Sequence, residues 1–73
     1  MPKIDVKTEV SGSVWKIETK AGQKIEAGDT IMIIESMKME IPVLADAAGT
    51  IVSFAAQEGD AVTEGQTVAV LET

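Results

Sequence analysis

Cysteine and histidine are both missing from these 73 residues. Without cysteine no disulfide can staple the fold and no thiol chemistry is available. Without histidine the commonest general base and the commonest metal ligand are gone. These gaps argue against a hydrolytic, redox or zinc enzyme. They leave no catalytic residue and no metal site to name, and Ser36 has no base to activate it as a nucleophile. Positive charge is scarce as well: 6 Lys and Arg stand against 12 Asp and Glu, a net charge of −6. That balance argues against nucleic acid and against anionic membrane surfaces as partners, and its plain meaning is solubility. Long apolar runs are absent; strictly apolar runs reach only four residues, as at Ile31 to Ile34, far too short to span a bilayer. Met1 to Asp5 show no basic stretch leading into an apolar one, so no secretory signal is legible and a soluble cytoplasmic protein is expected. Residues 1–73 leave room for one domain with one small core, near the lower limit for folding unaided. Met1 is compatible with a complete protein.

Helix has little support, because no segment sustains a 3.6-residue period and turn signals recur too closely. What is present instead is a repeat. Shifting the chain by 37 residues, the distance from Gly12 to Gly49, also lays Gly22 on Gly59 and Gly28 on Gly65. Val14 then meets Ile51, Ile17 meets Phe54, Ile25 meets Val62, Ile31 meets Val68, Ile33 meets Val70 and Glu35 meets Glu72. Any all-β domain alternates apolar residues and spaces its turns, but glycines coinciding at successive turns are harder to obtain that way.

Each half reads alike. A β-rich stretch (13–19, then 50–55) runs into a glycine turn, a short strand centred on Ile25 or Val62, a second glycine turn and an alternating strand (30–35, 67–72). Further strands near 3–8 and 40–44 begin the two halves. Eight short antiparallel strands in two like halves give an all-β fold, a flattened barrel or two-sheet sandwich with quasi-two-fold symmetry. Its expected core is Val14, Ile17, Ile25, Ile31, Ile33, Ile41, Val43, Ile51, Phe54, Val62, Val68 and Val70. Val14 and Ile17 differ in parity, so both can point inward only across a bulge. Trp15 is read as a half-buried packing residue, with a binding role as the alternative.

Between the strand ending at Glu35 and the one beginning at Glu40 lie Ser36, Met37, Lys38 and Met39. A lysine at a hairpin tip is presented with nothing packed over its amine. Methionines flanking it are odd where side chains are wettest, and suggest a surface that another protein reads. The plainer alternative is a solvated lysine beside methionines that fold back onto the sheet. Under the 37-residue shift Lys38 would match a position beyond the last residue, so one half ends in the lysine hairpin and the other in the chain terminus. Two-fold symmetry then places tip and termini at opposite ends of the molecule.

Ser36-Met37-Lys38-Met39 resembles the biotin attachment signature, in which Ala or Ser precedes Met-Lys-Met. Gly12, the Ala21-Gly22 and Ala27-Gly28-Asp29 turns, the lysine hairpin, Gly49, Gly59-Asp60 and Gly65 sit where the biotinyl/lipoyl domain family places them, and the likeness runs from Ile4 to Glu72. The resemblance implies a biotin carboxyl carrier of the type found in acyl-CoA carboxylases, itself non-catalytic and monomeric. A biotin protein ligase would join biotin to Nζ of Lys38. A biotin carboxylase and a carboxyltransferase would be the later partners, the acceptor being an acyl-CoA, a 2-oxo acid or urea. Met37 and Met39 would mark the lysine for the ligase, with Ser36, Glu35 and Glu40 as flanking contributors; solvation is the simpler role for the two glutamates. An ordinary lysine is protonated at neutral pH in all but about one molecule in a few thousand, so the ligase must also take up a proton.

Two features depart from the family pattern. Trp15 to Lys24 runs through without the inserted "thumb" of many bacterial acetyl-CoA carboxylase carriers, which favours the simpler thumbless type. Val10-Ser11 and Ala47-Ala48 stand where Ala-Pro is common, a matter of turn detail. The nearest rival is a lipoyl carrier domain of a 2-oxo acid dehydrogenase or glycine cleavage system, which typically shows Asp-Lys-Ala at the tip; a small protein accepting either group is a variant of it. An unmodified adaptor of the same fold would have no need of this lysine. A nucleotide site at Gly22 to Gly28 fails because no Gly-Lys-Ser/Thr follows.

Overall fold

The computed structural model describes residues 2–73; Met1 lies outside them. Its strands are β1 (Lys3–Lys7), β2 (Gly12–Ile17), β3 (Lys24–Ile25), β4 (Thr30–Ser36), β5 (Met39–Leu44), β6 (Gly49–Phe54), β7 (Ala61–Val62) and β8 (Thr67–Glu72). Among the described residues there is no helix. The strands form two antiparallel sheets ordered β1-β8-β6-β3 and β5-β4-β2-β7. The 37-residue shift turns β1 into β5, β8 into β4, β6 into β2 and β3 into β7. It therefore converts one sheet order into the other, and each sheet draws strands from both halves. The expected all-β architecture of two like halves is the one observed.

The turns explain why the repeat carries glycine. At 20–23, 26–29, 57–60 and 63–66 the fourth residue donates its N–H to the carbonyl of the first, at 3.1, 3.1, 3.0 and 2.8 Å. The third residue is glycine with φ between 85° and 91°, the conformation a type II turn requires at that place. The side chain of the fourth residue (Gln23, Asp29, Asp60 or Gln66) then accepts from the N–H of the first, closing each turn a second time.

Inside, the strictly alternating pattern needs correction. Thr30 pairs with Leu44 and Met32 with Val43, so Ile31 is an extra residue in β4. Likewise Val6 pairs with Ala69 and Lys7 with Thr67, which makes Val68 the extra residue in β8. Each bulge reverses the parity of the strand beyond it. The buried side chains are consequently Ile31, Met32 and Ile34, matched by Val68, Ala69 and Leu71, while Ile33 and Val70 are only half-buried. Val6, Ala45 and Ala56 complete the core beyond expectation; Ile17, Ile41 and Phe54 are half-buried at its margin. The bulge anticipated between Val14 and Ile17 falls at Trp15, since Val14 opposes Ile34 and Lys16 opposes Ile33. Val52 bulges at the matching place in β6.

The molecule measures 36 × 17 × 17 Å. Gly28 N–H donates to the carbonyl of Ala45 at the end of the β4–β5 hairpin away from its turn. Ile25, a few residues earlier, pairs with Gly49, which lies against the Glu72 carbonyl beside the chain end. Thr73 N–H closes on the Pro2 carbonyl at 3.0 Å. The hairpin's open end and the termini thus share one end of the molecule, and the turn of the hairpin occupies the other.

Candidate functional site

β4 and β5 converge on Ser36 opposite Met39, leaving a two-residue turn of Met37 and Lys38. Their φ angles are 51° and 65°, and among the described residues no other non-glycine residue has positive φ. Positive φ at both central positions is the type I′ hairpin turn, whose twist suits the flanking strands and whose usual occupants are Asn and Gly. A non-glycine residue in the left-handed region is disfavoured by roughly 1–2 kcal/mol. Nothing in the local packing demands methionine and lysine here: Met37 is 91% exposed and Met39 63%. The methionines do not fold back onto the sheet.

Lys38 is exposed, and among the described residues its amine enters no ion pair and no side-chain hydrogen bond. Ser36 is half-buried at the top of β4, and Glu35 faces Glu40 across the strands, both exposed. All six residues expected at the site are therefore brought together within one hairpin tip. The groove between β1 and β5, lined by Val6, Thr8, Ile41 and Leu44 among others, does not include them. The tip is a projection, suited to entering a cleft in another protein.

What holds the projection still is its base. Ile34 and Met32 anchor β4 in the core at 0% exposure. β2 pairs alongside β4 so closely that a Cβ on Gly12 would strike the Glu35 carbonyl oxygen. Gly49 stands against Glu72 in the same way, a Cβ there meeting the carbonyl oxygen at 2.6 Å. The repeat and the family resemblance both pick out Gly12, but neither tells that it supports the tip; that follows from its approach to Glu35. Among the described residues no group of acidic residues could hold a metal ion.

A family model described as "Biotin-requiring enzyme" matches residues 1–71. The chain is 47% identical over 60 residues to the biotin/lipoyl attachment protein of Bacillus subtilis, covering 82% of each. It is 40% identical over 67 residues to the biotinylated protein TB7.3 homolog of Mycobacterium leprae, covering 92% of this chain and 94% of that one. A larger relative is the biotin-dependent acyl-coenzyme A carboxylase alpha3 subunit of Mycobacterium leprae, 36% identical over 92% of this chain but only 11% of its own length. Among solved structures, the urea carboxylase of Kluyveromyces lactis superposes with a TM-score of 0.93 and 35% identity, over 99% of this chain and 6% of that one. The lipoyl domain of the 2-oxoglutarate dehydrogenase complex from Azotobacter vinelandii superposes at 0.79 with 30% identity, over 96% of both.

Proposed function

The chain belongs to the biotin/lipoyl attachment family, and from that membership we propose that it is a biotin carboxyl carrier with Lys38 as the attachment residue. Its cofactor is covalent biotin. The single observation that carries the assignment to Lys38 is the two-residue apex with positive φ at both positions, which exposes one amine that enters no ion pair among the described residues.

The residues fit such an attachment. Acylation converts a charged ammonium into a neutral amide. Because no carboxylate of the described residues pairs with Lys38, that loss leaves no partner charge uncompensated. Nζ of Lys38 would give up two protons in all to the ligase, solvent or leaving group, one to free its lone pair and one as the amide forms with the activated carboxyl carbon, and the activating group would leave with the electrons of the broken C–O bond. Biotin, once attached, supplies the ring nitrogen that takes up and releases a carboxyl group. The chain itself catalyses nothing; it confines the tethered group so that both partner sites meet it at raised effective concentration.

The partners proposed are a biotin protein ligase, a biotin carboxylase and a carboxyltransferase, most simply those of an acyl-CoA carboxylase. The Mycobacterium leprae acyl-coenzyme A carboxylase subunit supports this, as the urea carboxylase supports a urea acceptor. Met37 and Met39 mark the lysine for the ligase; their exposure leaves them free for that contact. Lipoate is the second reading, favoured by the double name of the Bacillus subtilis relative, and opposed by methionines on both sides of Lys38. A cytoplasmic setting is proposed with it, as a compartment that supplies the ATP these partners need.

The test is to incubate the chain with a biotin protein ligase, ATP and biotin, then with a biotin carboxylase and labelled bicarbonate. Wild-type chain is expected to shift on streptavidin and to acquire acid-labile label. Lipoate incorporated in place of biotin by the cognate ligases would reverse the preference.

A further inference from the structure

The quasi-two-fold repeat gives this domain an internal control: each residue of the sheet that bears the tip has a mate in the sheet that bears the termini. On the outer side of β5 stand Glu40, Pro42 and Leu44, alternating with Val43 and Ile41 that face inward. Their mates on β1 are Lys3, Asp5 and Lys7, all charged. In the next strands Ile33 pairs with Pro42 and lies opposite Lys16 beside the bulged Trp15, which is 49% exposed. The mate of Trp15 is Val52, and the mate of Ile33 is Val70. One outer face thus carries Ile33 and Pro42, extended by Leu44 and flanked by the bulged Trp15, in a rung closed on the inner strand by Lys16, where the matching rung of Ser53, Val70 and Asp5 places its charge on the edge strand.

The rung between this row and the lysine shows the same asymmetry. Glu35 faces Glu40, whereas the matching pair in the other sheet is Glu72 with Lys3. Like charges directly opposed across strands are unfavourable, and opposite charges are favourable. The fold therefore carries the favourable pairing where it has no projection and the unfavourable one beside Lys38. Lys16 does not relieve it, being paired with Glu18 at 3.6 Å.

We propose that the outer face of the tip sheet (Trp15, Ile33 and Pro42, rimmed towards the apex by Glu35 and Glu40) is the docking surface for the enzyme that acylates Lys38, and that this enzyme presents an apolar patch bordered by Lys or Arg. The inference rests on Lys38 being the attachment residue. The occupant follows from reach. An enzyme acting on Nζ itself has only the short lysine stem between its active site and the turn, so its surface must lie against the hairpin. Pro42 is four residues from Lys38, about 13 Å along the strand. Partners of the acylated form are held off by the longer arm. Charge complementarity supplies the polarity: two unpaired carboxylates on a chain of net charge −6 attract a basic rim.

The experiment measures ligation kinetics on the apo chain. Pro42→Asp installs on β5 the residue that β1 carries, Trp15→Ser removes the ring, and Val52→Ser is the mirror control; each is checked by thermal melting. The expected result is a KM for the chain raised about tenfold or more in Pro42→Asp and Trp15→Ser with kcat nearly unchanged, and no change in Val52→Ser. Raising salt should increase KM for wild type and much less for Glu35→Gln/Glu40→Gln. Folded variants with wild-type KM would overturn the proposal, as would a KM change confined to the biotin carboxylase step. Failure of wild type to be acylated at Lys38 would instead strike the functional reading beneath it.

Discussion

Replacing Met37 by Asn should stabilise this domain, because the turn holds methionine in a backbone region that suits asparagine. Met37 sits at φ 51° and Lys38 at φ 65°, the two central positions of a type I′ turn. Left-handed backbone costs an ordinary L-residue about 1–2 kcal/mol, and asparagine is several-fold enriched there. The substitution forfeits little in exchange, since Met37 is 91% exposed and contributes almost no buried area. A net gain of about 0.5–1 kcal/mol is expected, which for a domain this small corresponds to a rise in Tm of about 2–8 °C. Met37→Ile provides the opposite arm: a β-branched residue is poorly tolerated at positive φ, and Tm should fall. Thermal unfolding of the apo chain, followed by Trp15 fluorescence and far-ultraviolet circular dichroism, reads both. A Tm for Met37→Asn at or below wild type, in a folded protein, would refute the idea that the apex is strained. If the gain appears together with slower ligation, the turn keeps methionine for recognition at the expense of stability.

Other expectations rest on the same geometry. Lys38→Ala should leave Tm within a few degrees of wild type and abolish biotin incorporation, read by intact mass after ligation. Met39→Ala should fold normally and slow ligation; wild-type rates in both Met39→Ala and Met37→Ala would end the recognition role of the methionines. Gly12→Ala drives a Cβ into the Glu35 carbonyl and should cost about 1–3 kcal/mol, seen as a lowered urea midpoint with an unchanged slope. Ile34→Ala deletes a fully buried side chain at the base of the hairpin; a loss of about 2–5 kcal/mol is comparable to the whole stability of so small a domain, so urea titration should find it largely unfolded.

Much of this architecture was legible in the sequence because the chain states it twice. Gly22 with Gly59 and Gly28 with Gly65 locate four type II turns, and between such turns only short strands fit. The antiparallel arrangement and the position of Lys38 at a hairpin apex follow from that spacing. Core parity was not legible. Simple alternation puts Ile31 and Ile33 inward, but an extra residue at Ile31 and its mate Val68 reverses the pattern, so Met32, Ile34, Ala69 and Leu71 are buried instead of Ile33 and Val70. A bulge has no compositional mark when every residue near it is apolar. Only the parity conflict of Val14 and Ile17 betrayed one, at Trp15. The type I′ turn was hidden for a related reason: its usual signal is Asn-Gly, and Met37-Lys38 stands in its place. The asymmetry of the two outer faces was present in the letters of Glu40, Pro42 and Leu44 against Lys3, Asp5 and Lys7, but it acquires meaning only once register shows which side each faces.

The proposed acceptor for the ligase is one amine, that of Lys38, fixed at the apex of a hairpin anchored in the core. Peptide mapping by tandem mass spectrometry, after ligation of the wild-type chain with biotin and ATP, tests it most directly. A single biotinyl group is expected, located on Lys38, with Lys3, Lys7, Lys16, Lys20 and Lys24 unmodified. Biotin distributed over those lysines, or fixed on one of them while Lys38 stays free, would contradict it.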